Sequence, residues 1–284
     1  MSKLRDLKAR IESVKKTKKM TQAMKMVSAA KFKRASYQIL AFRPYFDSFT
    51  SLLDTIKNNS QESDEHPLFF DNGNKKHVVI VLTGDRGLCG GFNMAVAKEA
   101  MAFCQTLDPE DVEVICFGRK AIQLFKNSRW KPTKTYEGLS YNSLKQVRQL
   151  IRPIKTRFLA KEVGKVTLFY TVFKSVISSY VSQMNLLPIV VDRPNAPAVN
   201  DYIFEPDVTS LFGQLSIDYV YLSVYRAFME SKAAEEGARM SAMDSATSNA
   251  AEMGDQLTLL FNRVRQAKIT TELAEIVAGA NALA

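Results

Sequence analysis

Few stretches of this chain gather side chains that could do chemistry, and the first to test is TGDRGLCGGFN, Thr83 to Asn93. It follows a β-branched run and precedes a helical stretch, the place where glycine-rich loops cradle phosphates on backbone amides. Its spacing fits neither phosphate motif. A dinucleotide fingerprint starting at Gly84 requires glycine where Arg86 and Cys89 stand, and the second strand ends in Phe117, Gly118 and Arg119 without a ribose-binding acid. A Walker loop requires Gly-Lys-Ser/Thr, which is absent from the chain. Tight-turn packing is therefore preferred over nucleotide binding. Arg86 or a helix N-terminus could lower the pKa of Cys89. The only histidines, His66 and His77, stand at ligand spacing to no cysteine or carboxylate, which disfavours metal binding and Cys-His catalysis. Packing is the reading for Cys89, Cys104 and Cys116, and no paired carboxylates or serine elbow stand out.

The second candidate is electrostatic. Residues 1–34 hold twelve lysines and arginines against Asp6 and Glu12, so the whole net charge of +10 sits there and the rest of the chain is neutral. Such a segment has to meet an acidic surface: nucleic acid, anionic lipid or acidic protein. Base readout by a basic helix requires side chains presented from a dimeric fork, whereas here an apolar seam runs through the same residues. A third cluster, NRVRQAKITTE (Asn262 to Glu272), rings a seam with Arg263, Arg265, Gln266, Lys268, Thr270 and Thr271, which suits contact rather than catalysis.

The elements that must carry these groups are two long helices around a globular middle. No proline precedes Pro44 and no glycine precedes Gly73, which predicts a helix from Ser2 to about Lys57, with a possible kink near Pro44 and a length of about 80 Å. Leu4, Leu7, Ile11 and Val14 start its apolar stripe, and Met20, Ala23, Met24, Val27 and Ala30 are expected to resume it after a slip in phase. Asn58 to Asn74 reads as a polar linker. After Pro206 the remaining chain is helical in pattern, with a seam at Met243, Ala250, Leu257, Val264, Thr271 and Ala278 and again at Ala246, Met253, Leu260, Ala267, Ala274 and Asn281. Narrow seams cannot be buried alone, so the two helices should pair antiparallel. The longer C-terminal one should overhang, leaving residues 272–284 to be sheathed by another protein.

Between them, His77–Thr83, Val112–Gly118, Lys165–Phe173 and Leu186–Val191 read as strands. Helices fall between, one capped by Asn93 and running through Thr106, another marked by Leu144, Val147, Leu150 and Ile151. The expected fold is α/β: a long antiparallel coiled coil of the terminal helices (1–60 and 207–284) plus a central Rossmann-like parallel domain (75–200). With 284 residues, 46% apolar and only 12 Gly and 9 Pro, the chain can build a core and is neither disordered nor collagen-like. The longest uncharged stretch, Ser175 to Val191, is too polar to span a bilayer. An odd cysteine count without a signal-type N-terminus favours a reducing cytoplasm, and no removable leader is expected.

Three segments in order resemble the gamma subunit of the F-type rotary ATP synthase over essentially the whole chain: RIESVKKTKKMTQAMKMVSAAK (Arg10 to Lys31), DRGLCGGFN (Asp85 to Asn93) and NRVRQAKITTELAEIVAGANAL (Asn262 to Leu283). The resemblance implies a non-catalytic shaft turning inside a ring of three alpha and three beta subunits, with no catalytic, cofactor or metal residues of its own. It implies that Arg265, Gln266 and Thr270 touch catch loops of the ring, and that Met24 and Lys25 pass an acidic lever of a beta subunit. DYIFEPD, Asp201 to Asp207, resembles the foot that meets the membrane-embedded c-ring, making Tyr202 and Glu205 candidate contacts. The epsilon subunit would dock on the globular middle, and the partner of the basic helix would be protein, with no nucleic acid. The implied location is the cytoplasmic face of a bacterial inner membrane, peripheral through the complex. The cysteine-bearing insertion of plastid forms is not seen, so thiol control is not expected. Against this reading stand a Rossmann-like enzyme, which would bind a dinucleotide or ATP, and a basic helical nucleic-acid binder, which would show a steep salt dependence.

Overall fold

The computed structural model describes residues 2–59, 66–138, 143–176, 178–190, 205 and 207–283. They form two compact units, one of residues 1–28 with 240–284 and one of residues 29–239. Helix α1 (Ser2–Asn59) is continuous through Pro44, and α5 (Val208–Leu283) is continuous through Gly213, Gly237 and Gly254.

In residues 29–239 the core is a five-stranded sheet with strands β1 (His77–Leu82), β2 (Val112–Phe117), β3 (Pro132–Tyr136), β4 (Lys165–Phe173) and β5 (Ser179–Leu187) in the order β3-β2-β1-β4-β5. Each parallel step is bridged by a helix: α2 (Phe92–Gln105), α3 (Arg119–Phe125) and α4 (Leu144–Leu159). The sheet is not wholly parallel. β5 pairs antiparallel with β4 because only 174–178 join them, too short for a crossover. The fifth strand also begins earlier than the apolar run at Leu186 suggests. β3 escaped the sequence reading because Pro132-Thr-Lys-Thr-Tyr is a polar, exposed edge.

β1 is buried on both faces, as its unbroken HVVIVL run requires. Val79 and Val81 face α2 and α3 through Val96, Ala100, Cys104 and Phe125. Val78, Ile80 and Leu82 face α4 and α5 through Val147, Ile151, Phe158, Val220 and Val224. The expected linker is partly structural: Leu68 is fully buried, and the Asn72 amide donates to the Phe158 and Val163 carbonyls. Between α1 and α5 in this unit, Phe42 meets Tyr225 edge-on at 5.4 Å and Phe46 stacks on Tyr219 at 6.0 Å. Beside them Leu53, Ile56 and Phe212 close a smaller apolar cluster.

Candidate functional site

In the unit of residues 1–28 and 240–284, α1 and α5 run antiparallel: Val14 lies against Gly254, Thr21 meets Thr247, and Lys25 meets Asp244. The burial pattern corrects the expected seam. Leu7, Thr21 and Ser28 are buried and Leu4, Ile11, Val14 and Lys25 half-buried, at heptad spacing broken only by exposed Lys18; Met24 is half-buried one place off that spacing, whereas Met20, Ala23, Val27 and Ala30 are exposed. Polar groups occupy the inner face because they find partners there; Thr247 donates to Thr21 Oγ1 at 2.8 Å. On α5, Met243, Ala250, Leu257 and Val264 face inward as expected. The companion row is one residue further on, at Thr247, Gly254, Phe261 and Lys268, so Met253 and Leu260 turn outward.

The sequence-derived contact residues fall as follows. Met24 is half-buried on α1, and Lys25 donates to Asp244 at 2.6 Å with both side chains about half exposed. Arg265, Gln266 and Thr270 are exposed, with Thr270 Oγ1 returning a bond to the Gln266 carbonyl at 3.0 Å. Glu205 is exposed; Tyr202 lies outside the described residues. Arg5, Lys8, Arg10, Lys15, Lys16, Lys18 and Lys19 are exposed and make no ion pair among the described residues. From Ile269 onward every described side chain is exposed, including Leu273, Ile276 and Val277. This surface is built for contact: unneutralised cations on one helix and bare apolar groups at the end of the other.

In residues 29–239 the loop Thr83–Asn93 lies where the strand order reverses, the usual ligand crevice of such sheets. Its chemistry is turned inward. The Asp85 carboxylate accepts from the Arg119 and Gly138 amides, tying together the ends of β1, β2 and β3. Asn93 does not cap α2, whose N-cap is Gly91; its Oδ1 accepts from Gly84 N at 2.8 Å and its amide donates to Cys89 Sγ at 3.1 Å. Gly118, at φ +92°, has no room for a side chain because a Cβ would overlap the Thr83 carbonyl. Helix α5 then enters the crevice. Glu235 lies so close to Gly84 that a Cβ there would stand 2.7 Å from its carboxylate, and Arg239 Nε donates to the Gly87 carbonyl at 3.2 Å. Lys232 and Arg239 neutralise Glu235 and Glu236.

A cavity of about 340 Å³ remains beside them, lined among others by Gly84, Lys31, Phe228 and Glu236. The Gly84 amide is taken by Asn93 and the Glu235 carboxylate stands against the loop at the tip of β1, so that amide is not turned outward to cradle a phosphate. Cys89 is buried and its thiol is pushed up by desolvation, with Arg239 rather than Arg86 opposing the shift. Among the described residues no cluster of three or more His, Cys, Asp or Glu could hold a metal ion. Sequence reading passed over Arg43, Glu230 and Glu235, which sit in unremarkable helical runs; tracing the heptad from Leu4 and Leu7 irrespective of polarity would have found Thr21, Lys25 and Ser28.

The family model for ATP synthase matches residues 3–283. The ATP synthase gamma chain of Geobacter metallireducens is 40% identical over 287 residues, covering 100% of this chain and 99% of that one. The ATP synthase gamma chain of Anaeromyxobacter sp. is 41% identical over 289 residues, covering both chains fully. Among solved structures, a chain of the Euglena gracilis mitochondrial ATP synthase F1/c-ring assembly superposes with a TM-score of 0.70 at 17% identity, covering 99% of this chain and 95% of that one. A chain of the Tetrahymena thermophila mitochondrial ATP synthase central stalk and c-ring gives 0.63 at 22% identity, covering 80% and 99%. The structural likeness carries the fold; full-length identity at this level carries the kinship, and the chain belongs to the ATP synthase gamma chain family.

Proposed function

We propose that this chain is the central-stalk rotor subunit of an F-type ATP synthase. It couples ion flow through the membrane sector to ATP synthesis or hydrolysis in a ring of three alpha and three beta subunits. The observation that carries the reading is the antiparallel pair of residues 1–28 and 240–284, whose outer surface combines unpaired cations with bare apolar side chains. Such a surface demands an enclosing partner with acidic and apolar patches. In this reading residues 1–60 and 207–284 are the shaft helices and 75–200 the globular domain. Arg265, Gln266 and Thr270 meet the ring, Met24 and Lys25 pass an acidic segment of a beta subunit, and Tyr202 and Glu205 meet the c-ring. The epsilon subunit docks on the globular domain. The chain performs no catalysis itself, needs no cofactor, and is held peripherally at the cytoplasmic face of a bacterial inner membrane. No helix of the described residues is long and apolar enough to cross that membrane.

The mechanism is differential contact. A shaft that touched every beta conformation equally would shift none of them, and moving a two-state site from mostly open to mostly closed requires a preference of about 5 kcal/mol. The engagement of Lys25 with Asp244 fits a contact that changes with angle: an acidic lever arriving at Lys25 competes with an internal acid that can be displaced because the pair is exposed. The test is to purify the tagged chain from its native membrane and identify its companions, and then to assemble the complex with Arg265→Ala and Gln266→Ala together. The chain should fold and assemble while ions pumped per ATP hydrolysed decline. Unchanged pumping would remove these residues from the contact set. Tight duplex binding with a steep salt slope would favour the nucleic-acid alternative.

A further inference from the structure

Strand β4 outruns its neighbour. Its pairing with β1 ends at Val81–Phe169, yet it continues to Phe173 paired only with β5. The bare edge is finished by side chains of the two long helices. Ser231 Oγ accepts from Thr171 N at 3.1 Å and Glu230 Oε2 accepts from Phe173 N at 2.9 Å, both from α5. From α1, Arg43 donates through Nη2 to the Phe173 carbonyl, and through Nε and Nη2 to the two oxygens of Glu230 at 3.0 and 2.8 Å. Glu230 is buried, at 1% exposure. One planar guanidinium and one carboxylate thus join a strand end, α1 and α5 in a single hub.

Elsewhere in this unit the two helices meet largely through aromatic and aliphatic side chains. Apolar burial resists separation but is non-directional, so it opposes sliding and twisting weakly. A bidentate guanidinium–carboxylate pair fixes distance and angle together. We infer that the Arg43–Glu230 pair, closed on Phe173, is the grip through which torque borne by the sheet domain passes into both long helices, with Glu230 its positioning residue. This rests on the rotor reading above and adds to it where in the chain the load crosses from sheet to helices.

The test uses the assembled ATP synthase carrying Glu230→Gln, which keeps an acceptor for Phe173 N but loses the ion pair, and separately Arg43→Lys, which keeps the charge but loses the fork. Arg148→Lys serves as control, since Arg148 binds Asp218 of α5 at 2.7 Å without touching α1. With a bead fixed to the sheet domain, torsional stiffness is read from angular fluctuation, alongside ions pumped per ATP, unloaded ATPase rate and thermal midpoint. Both grip variants should lose stiffness and pump fewer ions per ATP under load, with unloaded ATPase retained and the control unchanged. Wild-type stiffness and coupling despite a lowered thermal midpoint would mean a merely structural pair and overturn the inference, as would an equal loss in the control. Should Glu230→Gln fail to assemble, Arg43→Lys decides alone. If the unaltered chain does not join the alpha and beta subunits, it is the rotor reading that fails.

Discussion

His77 opens β1 with its ring inside the protein, Nε2 lying 2.7 Å from Thr167 Oγ1 and the ring edge-on to Phe103. Burial, aided by Lys165, lowers its pKa from 6.5 to about 4. The unfolded chain therefore takes up this proton first as pH falls. Stability is unaffected above pH 6.5 and is lost progressively toward pH 4, by about 3 kcal/mol at the lower end. Denaturant titrations at pH 7 and 4.5 should show a smaller difference for His77→Gln than for the natural chain, and an unchanged difference would assign the acid sensitivity elsewhere. The cysteines follow the same desolvation logic. Cys104 is raised to about 11 and Cys116 to about 12, and both are fully buried, as is Cys89 nearly so. Iodoacetamide at pH 8 should label none of the three in the native chain and all three after denaturation; rapid native labelling of Cys89 would show that the loop opens.

At the scale of elements, Gly254 is a glycine that the fold does not need. A Cβ there would stand 3.7 Å from Val14 Cγ1, an ordinary contact. Gly254→Ala should therefore stabilise the helix pair by about 0.5–1 kcal/mol, read by thermal melting of residues 2–28 and 240–283 through hydrogen exchange; destabilisation would mean that Val14 cannot yield. How legible the elements were depended on how much of their signal was apolar. β1, β2, β4 and α4 announce themselves because their buried positions are filled by Val, Ile, Leu and Phe. β3 and most of β5 do not, since an edge strand may carry Thr, Lys, Ser and Gln outward and remains a strand through its neighbour's backbone. Helix α1 was found by the absence of Pro and Gly, but its facing was misread at Met20, Ala23, Val27 and Ala30, because apolar side chains on an outer surface mimic a core stripe. The spacing of its glycines sets the loop Thr83–Asn93 apart from nucleotide motifs. That its place is filled by Glu235 was invisible, because the two segments lie some 150 residues apart in sequence and only the fold joins them.

At the scale of the whole molecule, charge and apolar surface are distributed unequally. The excess charge lies within residues 1–34, and buried apolar side chains concentrate in residues 29–239, with only Leu7, Met243 and Ala250 buried outside them among the described residues. The inner face of the helix pair otherwise mixes half-buried Leu4, Ile11, Val14, Leu257 and Val264 with Thr21, Lys25, Ser28, Thr247 and Gly254. Little hydrophobic free energy fastens such a lamination, so its opening should cost far less than that of the sheet. In the solitary chain, backbone amides of residues 2–28 and 240–283 should exchange with deuterium rapidly while β1 and β4 stay protected; uniform protection would contradict this. On the proposed rotor reading, a spindle whose own strands are barely glued borrows its straightness from the sleeve around it, and would fray when drawn out.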